Sequence, residues 1–228
     1  TLTLLPGCSS SLESAMEPYL VVNAPKLNDD FYLNPIDWSS RNVLAVILNH
    51  TVHLWNVCED GNNPAIPLSD GVSEQDGATS LQWSEDGEKI AVGKYNGCVE
   101  LWDVETQSML CEWPSHQARV GCIAWNENSI VSGSRDRRII HRDIREPEQM
   151  NERLLENHMQ EVCSLKWSPD RRHLASGGND NVINVWSMHR ANPLHSLTEH
   201  NAAIKALAWS PHHRGLIVSG GGTADRCL

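Results

Sequence analysis

His158, Ser176 and Asp180 are the residue types that hydrolases combine in a nucleophilic triad, where a histidine removes the serine proton and a carboxylate orients the histidine. A catalytic triad occurs once in a chain. The same three types recur here 42 to 44 residues away on either side, at His116, Ser132, Asp136, His200 and Ser219. Recurrence is typical of a hydrogen-bond network that satisfies buried polar groups. We therefore interpret these residues, together with Trp186, as a structural network and expect no enzyme.

Metal and thiol chemistry have little support in the sequence. His212 and His213 are adjacent but lack further ligands nearby, so we expect neither a metal site nor a cofactor. The seven cysteines are scattered, odd in number and without a C-x-x-C pair. This usage favours free thiols in a reducing compartment over a disulfide framework.

Tryptophan is used far more often than the other aromatic residues, with nine Trp against three Tyr and one Phe. Five of them stand in an [apolar]-x-Trp-[Ser/Asn] setting, at Trp38, Trp83, Trp125, Trp167 and Trp209. The intervals between these five anchors are 45, 42, 42 and 42 residues. Such a fixed period is the signature of WD-repeat blades, in which each period forms one four-stranded sheet. The sequence therefore predicts an all-β fold, a WD-repeat β-propeller with one anchor in each blade.

The blade anchored at Trp167 shows the local pattern. Short β-branched runs alternate apolar and polar residues, and turn residues separate the runs. The pattern predicts strands at residues 161–168, 173–177, 182–187 and 194–198.

Residues 21–228 are expected to form the propeller, and residues 1–20 a disordered lead-in. Aligning Asp225 with Asp180 places the next anchor at position 231, beyond the last residue. A ring of about seven blades is expected, and an open ring leaves a strand edge unpaired. We therefore expect four to five of these blades here, in a fragment of a longer protein.

The net charge of −11 argues against a partner that needs a basic field, such as nucleic acid or an anionic membrane. No apolar run reaches the ~18 residues of a membrane span. A basic cluster lies at residues 135–145. It is open to two interpretations, a solvated loop and strand edge or a groove for an acidic peptide.

Strings of residues between the anchors are more specific than the WD period. Examples are NDDFYLN at 28–34, SGGNDN at 176–181 and SGGGTADRC at 219–227. Over residues 21–228 they resemble the fizzy and fizzy-related family, and the last string, with RDR at 135–137, is closer to the fizzy-related branch. Members of this family are WD-repeat co-activators that recruit substrates to the anaphase-promoting complex, a ubiquitin ligase.

The resemblance implies that the chain binds short degrons of cell-cycle proteins. One degron is the destruction box, an Arg-x-x-Leu peptide held between the first and last blades, and Asp30 matches the family's acidic residue that faces its Arg. A carboxylate ~4 Å from a guanidinium gains ~1 kcal/mol in water and ~4 kcal/mol at an effective dielectric of ~20. The other wall of that groove belongs to the last blade, so this sequence is expected to hold half of the site.

The second degron is the Lys-Glu-Asn box. The resemblance places Asp37, Asn179, Asn181 and Thr223 among the family positions that bind it. Asn179 and Asn181 flank the turn residue Asp180, and their amides can both donate and accept hydrogen bonds. Asn-Asp-Asn is also a common tight-turn sequence, so a purely structural role stays open.

The implied partners are subunits of the anaphase-promoting complex and degron-bearing cell-cycle proteins, in the nucleus and cytoplasm, without nucleic acid or membrane. Two docking motifs of the family, an N-terminal Asp-Arg-[aromatic]-Ile-Pro element and a C-terminal Ile-Arg tail, are not found in this sequence. The alternative is therefore a WD-repeat interaction scaffold, or a competitor without ligase-activating function. A hydrolase built on His158, Ser176 and Asp180 is a third and weaker hypothesis, because the set recurs.

Overall fold

The computed structural model describes residues 2–4, 20–22, 24–57, 66–68, 76–146 and 152–228. In these residues the regular secondary structure consists of β-strands in antiparallel sheets. The first pair joins β1 (Leu2–Leu4) to β2 (Leu20–Val22). The disorder expected over residues 1–20 stays a prediction. Residues 1 and 5–19 lie outside the described residues.

Among the described residues, four four-stranded sheets follow, each with its strands in sequence order, and then a two-stranded sheet, sheet 5. Sheet 1 contains β3 (Ile36–Trp38), β4 (Val43–Leu48), β5 (Thr51–Asn56) and β6 (Ile66–Pro67). Sheet 2 contains β7 (Ala78–Trp83), β8 (Lys89–Lys94), β9 (Cys98–Asp103) and β10 (Ser108–Pro114). Sheet 3 contains β11 (Val120–Asn126), β12 (Ser129–Ser134), β13 (Arg138–Asp143) and β14 (Arg153–Glu156). Sheet 4 contains β15 (Val162–Trp167), β16 (His173–Gly178), β17 (Ile183–Ser187) and β18 (His195–Leu197). Sheet 5 contains β19 (Ile204–Trp209) and β20 (Ile217–Gly221).

These bounds confirm the predicted blade architecture. The strands predicted at 161–168, 173–177, 182–187 and 194–198 are β15 to β18, whose ends differ from the prediction by at most one residue. The first strands of successive sheets, β3, β7, β11, β15 and β19, pack beside one another and are the inner strands of the array. Each inner strand carries a Trp anchor at or next to its last residue.

Three of the anchors bond their sheet to the one before it. In three sheets the anchor's indole N–H donates a hydrogen bond to the carbonyl of the residue that precedes the previous anchor. The donor and acceptor residues, with their N···O distances, are Trp83 and Asp37 (3.3 Å), Trp125 and Gln82 (2.9 Å), and Trp209 and Lys166 (3.0 Å). Trp167 departs from this pattern, because its buried Nε1 has no hydrogen-bond partner in the described part of the chain.

Apolar side chains fill the spaces between sheets. Between sheets 3 and 4, Leu155, Leu174 and Trp186 are fully buried in one cluster. Successive residues of a strand point to opposite faces. Leu154, next to Leu155 on β14, is accordingly 42% exposed.

The recurring histidines, serines and aspartates are hydrogen-bonded to one another in sheets 3, 4 and 5. His158 Nε2 lies 2.8 Å from Ser176 Oγ and its Nδ1 lies 3.1 Å from the Asp180 carboxylate, while Trp186 Nε1 donates to Ser176 Oγ at 2.8 Å. The His–Ser–Asp arrangement is repeated by His116, Ser132 and Asp136 and by His200, Ser219 and Asp225. Each set ties the loop before an inner strand to the turn that follows the second strand of the sheet. In sheet 4 that turn carries Asn179.

Arg142 stands in sheet 3 at the strand position that Trp186 has in sheet 4. Its guanidinium lies 4.6 Å from the ring centroid of Trp113 and pairs with Glu152. Burial lowers the pKa of Arg142 to about 10, so the guanidinium stays charged at neutral pH. The network of sheet 3 therefore lacks an indole donor, as its sequence predicts.

The neighbouring leucines of β14 provide a matched test of the packing. Leu155→Ala should lower the free energy of unfolding by about 2–5 kcal/mol, because it removes a fully buried side chain and leaves a cavity. Leu154→Ala should change it by about 0.5 kcal/mol or less, since that side chain faces solvent. Urea unfolding followed by tryptophan fluorescence measures both values, and equal losses would contradict this assignment of the two faces.

The polar network leads to a pH prediction. Burial opposes the ionisation of Asp136, but the hydrogen bond and charge of His116, with backbone N–H groups, lower the pKa of Asp136 from 3.8 to about 2. A carboxyl group with a lowered pKa stabilises the fold above its unfolded pKa, and this contribution disappears as the pH falls through its folded pKa. The difference in unfolding free energy between the unchanged chain and Asp136→Asn should therefore shrink as the pH falls from about 4 to about 2.

Asp29→Asn is the control for this pH series. Asp29 is exposed, and its side chain has no hydrogen bond to the described residues. Its replacement should leave the free energy of unfolding unchanged. If the effect of Asp136→Asn stayed constant down to the lowest pH, the proposed contribution of the Asp136 carboxylate would be wrong.

Candidate functional site

Six polar side chains gather where the inner strands of sheets 3 to 5 begin. Two come from the loops before β11 and β15, one from β19 and one from the turn after β16, and the other two come from residues 30–34, which we call the crossing segment. We call the six the inner-edge cluster: Asp30, Tyr32, Arg119, Glu161, Asn179 and Lys205.

Arg119 is the centre of charge in this cluster. Its guanidinium makes two bonds to Glu161, at 2.8 and 3.0 Å, and a third to Asp30 Oδ2 at 2.7 Å. The side chains of Arg119 and Glu161 are about nine-tenths buried, whereas that of Asp30 is 29% exposed. Burial disfavours the charge of Arg119, but Glu161 and Asp30 together outweigh it and raise the pKa of Arg119. Asp30, which the resemblance matches to a receptor for a degron Arg, thus already has an arginine partner within the chain.

Tyr32 joins the crossing segment to sheet 4. Its hydroxyl donates a hydrogen bond to Asn179 Oδ1 at 3.0 Å, and Asn179 Nδ2 donates to Gln160 Oε1 at 2.5 Å. Burial, with the nearby thiol of Cys163 and carboxylate of Glu161, raises the pKa of Tyr32, so the hydroxyl is a donor at neutral pH. The oxygen and the nitrogen of the Asn179 amide thus each have one hydrogen-bond partner inside the chain.

Lys205 and Asn34 hold the crossing segment against sheets 5 and 3. Lys205 Nζ donates to the carbonyl of Phe31 and, at 2.6 Å, to that of Leu33. Burial lowers the pKa of Lys205. Asn34 Nδ2 donates to the carbonyl of Gly121 at 2.6 Å. Together with the bond from Tyr32 to sheet 4, these contacts bond the segment to three sheets.

The structure places the other predicted site residues outside the cluster. Asp37 lies on β3, where its carboxylate accepts the Trp83 N–H at 2.8 Å and burial raises the pKa of Asp37. Asn181 is in the same turn as Asn179, with a φ of 65°, and its side chain has no hydrogen bond within the described residues. Thr223 is exposed in the turn that follows β20.

Sequence reasoning identified Asp30 and Asn179 but missed their partners. One signal was present, because Arg119 and Glu161 stand 42 residues apart at the same position of neighbouring repeats. Opposite charges at equivalent positions of adjacent blades predict an ion pair. No comparable signal exists for Tyr32, because its partner Asn179 is 147 residues away in sequence.

Other candidate chemistry has little support in the structure. In the basic cluster at residues 135–145, Arg138 pairs with Glu156 at 3.0 Å and Arg142 is buried, which favours a structural interpretation. Within the described ranges, no group of three or more His, Cys, Asp or Glu side chains is placed to hold a metal ion. No helix among those same residues has the length and apolar character needed to cross a bilayer.

Known proteins share this sequence pattern. Residues 22–228 match the family model of the CDC20/Fizzy WD40 domain. Protein FIZZY-RELATED 1 of Arabidopsis thaliana is 48% identical over 211 residues, which cover 92% of this chain and 43% of that protein. The APC/C activator protein CDH1 of Saccharomyces cerevisiae is 45% identical over 227 residues, covering 100% of this chain and 39% of that protein. The chain thus spans less than half the length of these curated relatives.

Solved structures share the fold. A chain in the crystal structure of the mitotic checkpoint complex matches with a TM-score of 0.85 and 41% identity, over 96% of this chain and 67% of that chain. The computationally designed Ika8 protein matches with a TM-score of 0.67 and 26% identity, over 83% of this chain and 55% of that chain. The predicted WD-repeat propeller is confirmed. Its blades, its anchors and these likenesses agree, and the chain belongs to the CDC20/Fizzy family of WD40 domains.

Proposed function

We propose that this chain is the degron-recognition propeller of an activator of the anaphase-promoting complex. The observation that carries the proposal is the match of residues 22–228 to the CDC20/Fizzy WD40 family, whose relatives include proteins named as an APC/C activator and as cell cycle switch proteins. Its partners are subunits of that complex and degron-bearing cell-cycle proteins, in the nucleus and cytoplasm.

The turn of sheet 4 is suited to binding a Lys-Glu-Asn peptide. The side-chain amide of Asn181 has no hydrogen bond to the described residues, and an amide can both donate and accept. The hydrogen bonds between His158 and Asp180 hold this turn in place. A turn that is already fixed loses little conformational entropy when a peptide binds to it, which favours affinity.

Asp30 supports a contact with the Arg of a destruction box. Each carboxylate offers about four acceptor positions. Within the described residues, Asp30 uses one for Arg119 and one for the Tyr32 N–H, and its side chain is 29% exposed. A degron guanidinium can therefore bind Asp30 beside Arg119.

We infer that the chain acts by binding and not by catalysis. The His–Ser–Asp set recurs in three sheets. In sheet 4 the Ser176 hydroxyl is fully buried and already bonded to His158 and Trp186, where a substrate carbonyl has no access to it. The relatives' names, which describe an activator and switch proteins, support the same inference.

Asn181→Gly tests the peptide site. Glycine tolerates the positive φ of this position, so the substitution removes the amide without straining the backbone. The Kd of a fluorescent Lys-Glu-Asn peptide, measured by anisotropy, should rise about 2- to 10-fold, because a hydrogen-bonding group is lost. Asn192→Ala is the matched control, since Asn192 is exposed in the turn between β17 and β18.

The same preparation distinguishes degron recognition from general interaction. A scrambled peptide that bound as tightly as the Lys-Glu-Asn peptide would overturn the assignment. An in vitro ubiquitination assay with the purified anaphase-promoting complex then tests activation. Peptide binding without increased substrate ubiquitination would indicate a scaffold or a competitor instead of an activator.

A further inference from the structure

The crossing segment, residues 30–34, lies against the turn of sheet 4, to which the proposed function assigns binding of the Lys-Glu-Asn peptide. Besides its bonds to sheets 3, 4 and 5, it makes two backbone bonds to sheet 2. These run from the Asn34 N–H to the Thr79 carbonyl at 3.3 Å and from the Leu81 N–H to the Asn34 carbonyl at 3.1 Å. Asn34 also forms a parallel β-bridge with Ser80. Asn34 is therefore paired with the inner strand of sheet 2 as an added strand residue is, while residues 30–33 form a turn closed by the hydrogen bond from the Leu33 N–H to the Asp30 carbonyl at 3.1 Å.

This internal ligand has the chemistry of a short acidic peptide. Asp30 presents a carboxylate to Arg119 at 2.7 Å, and Tyr32 presents a hydroxyl donor to Asn179 at 3.0 Å. Two main-chain carbonyls of the segment accept hydrogen bonds from Lys205. Proteins bind short peptides from other molecules by the same means, which are charge pairing, side-chain amides and main-chain hydrogen bonds.

The contact with Asn179 overlaps the proposed peptide site. While the Tyr32 hydroxyl occupies Asn179 Oδ1, the Nδ2 of the same amide is bonded to Gln160. An amide oxygen has two lone pairs and an amide NH2 two donors, so a peptide that takes the lone pair bonded to Tyr32, or the N–H bonded to Gln160, must displace that partner. The apparent affinity for the peptide is then reduced by the fraction of molecules whose site is open.

We infer that the crossing segment is an intramolecular competitor of peptide binding, and that the Tyr32–Asn179 hydrogen bond is the contact through which it competes. The inference rests on the proposed function, because both concern the same face. Releasing Tyr32 from Asn179 increases the fraction of open sites and so tightens peptide binding.

Tyr32→Phe is the direct test. It removes the hydroxyl but keeps the ring, which packs edge-on against Phe31 at a centroid distance of 5.3 Å and lies 5.2 Å from the Arg119 guanidinium. The Kd of a fluorescent Lys-Glu-Asn peptide for the full chain should fall about 2- to 10-fold, the ratio expected from one net hydrogen bond. Circular dichroism first establishes that the variant keeps the β-sheet spectrum of the unchanged chain.

Tyr95→Phe is the matched control. Tyr95 is 46% exposed, and its hydroxyl has no hydrogen bond to the described part of the chain. Its replacement should leave the Kd of the peptide unchanged. An equal fall in Kd for both tyrosine variants would overturn the assignment of the effect to the Tyr32–Asn179 contact.

Hydrogen exchange gives a second readout that a purely structural Tyr32 would not change. When the crossing segment is docked, the Asn34 N–H donates to the Thr79 carbonyl and the Leu81 N–H donates to the Asn34 carbonyl. Saturating the unchanged chain with the Lys-Glu-Asn peptide should speed the exchange of these two amides, because release of the segment breaks both hydrogen bonds. Exchange that stays the same or slows on peptide binding would overturn the inference.

The outcomes separate this inference from the proposed function. Equal Kd values for the unchanged chain and Tyr32→Phe, with binding weakened in Asn181→Gly, would overturn the competitor and leave the proposed function intact. Failure of both the unchanged chain and Tyr32→Phe to bind the peptide would overturn both. Binding by Tyr32→Phe in the absence of binding by the unchanged chain would support both.

Discussion

A four-stranded sheet cannot bury both of its faces alone, so the fold depends on the joints between neighbouring sheets, three of which include an indole hydrogen bond. Burial of apolar surface drives the sheets together but has no direction. The indole bonds, such as that of Trp125 to the Gln82 carbonyl, add a direction and a fixed register at the inner strand. Trp167 lacks this bond within the described residues, and there the joint consists of apolar packing around Leu155 and Leu174.

Stability and recognition are assigned to different positions of the same repeat. The anchors and the His–Ser–Asp sets recur from sheet to sheet, and they hold the turns and inner strands in place. The residue directly before the inner strand differs between repeats instead. It is Arg119 before β11, Glu161 before β15 and Ala203 before β19. Because the anchors and the His–Ser–Asp sets hold these different side chains on one edge, residues there can be replaced without disturbing the contacts between sheets.

The parts of the structure that could be predicted from the sequence are those that depend on local or periodic patterns. Strand ends from β15 to β18 follow from alternation and turn residues, and the absence of an indole donor at Arg142 follows from the repeat alignment. The surroundings of Asp30 could not be predicted in this way. Its partner Arg119 is 89 residues away, and the pair forms only because the chain ahead of β3 crosses the inner edge of other sheets. No periodic signal encodes such a crossing, since it occurs once.

The indole joints also have a direction along the chain. In each bonded pair the donor belongs to the later sheet and the acceptor to the earlier one, as for Trp83 and Asp37 or Trp209 and Lys166. During vectorial synthesis on the ribosome, a sheet can therefore accept this indole hydrogen bond as soon as the next inner strand has emerged. Assembly can proceed from one sheet to its neighbour, so each new joint closes over a short stretch of chain.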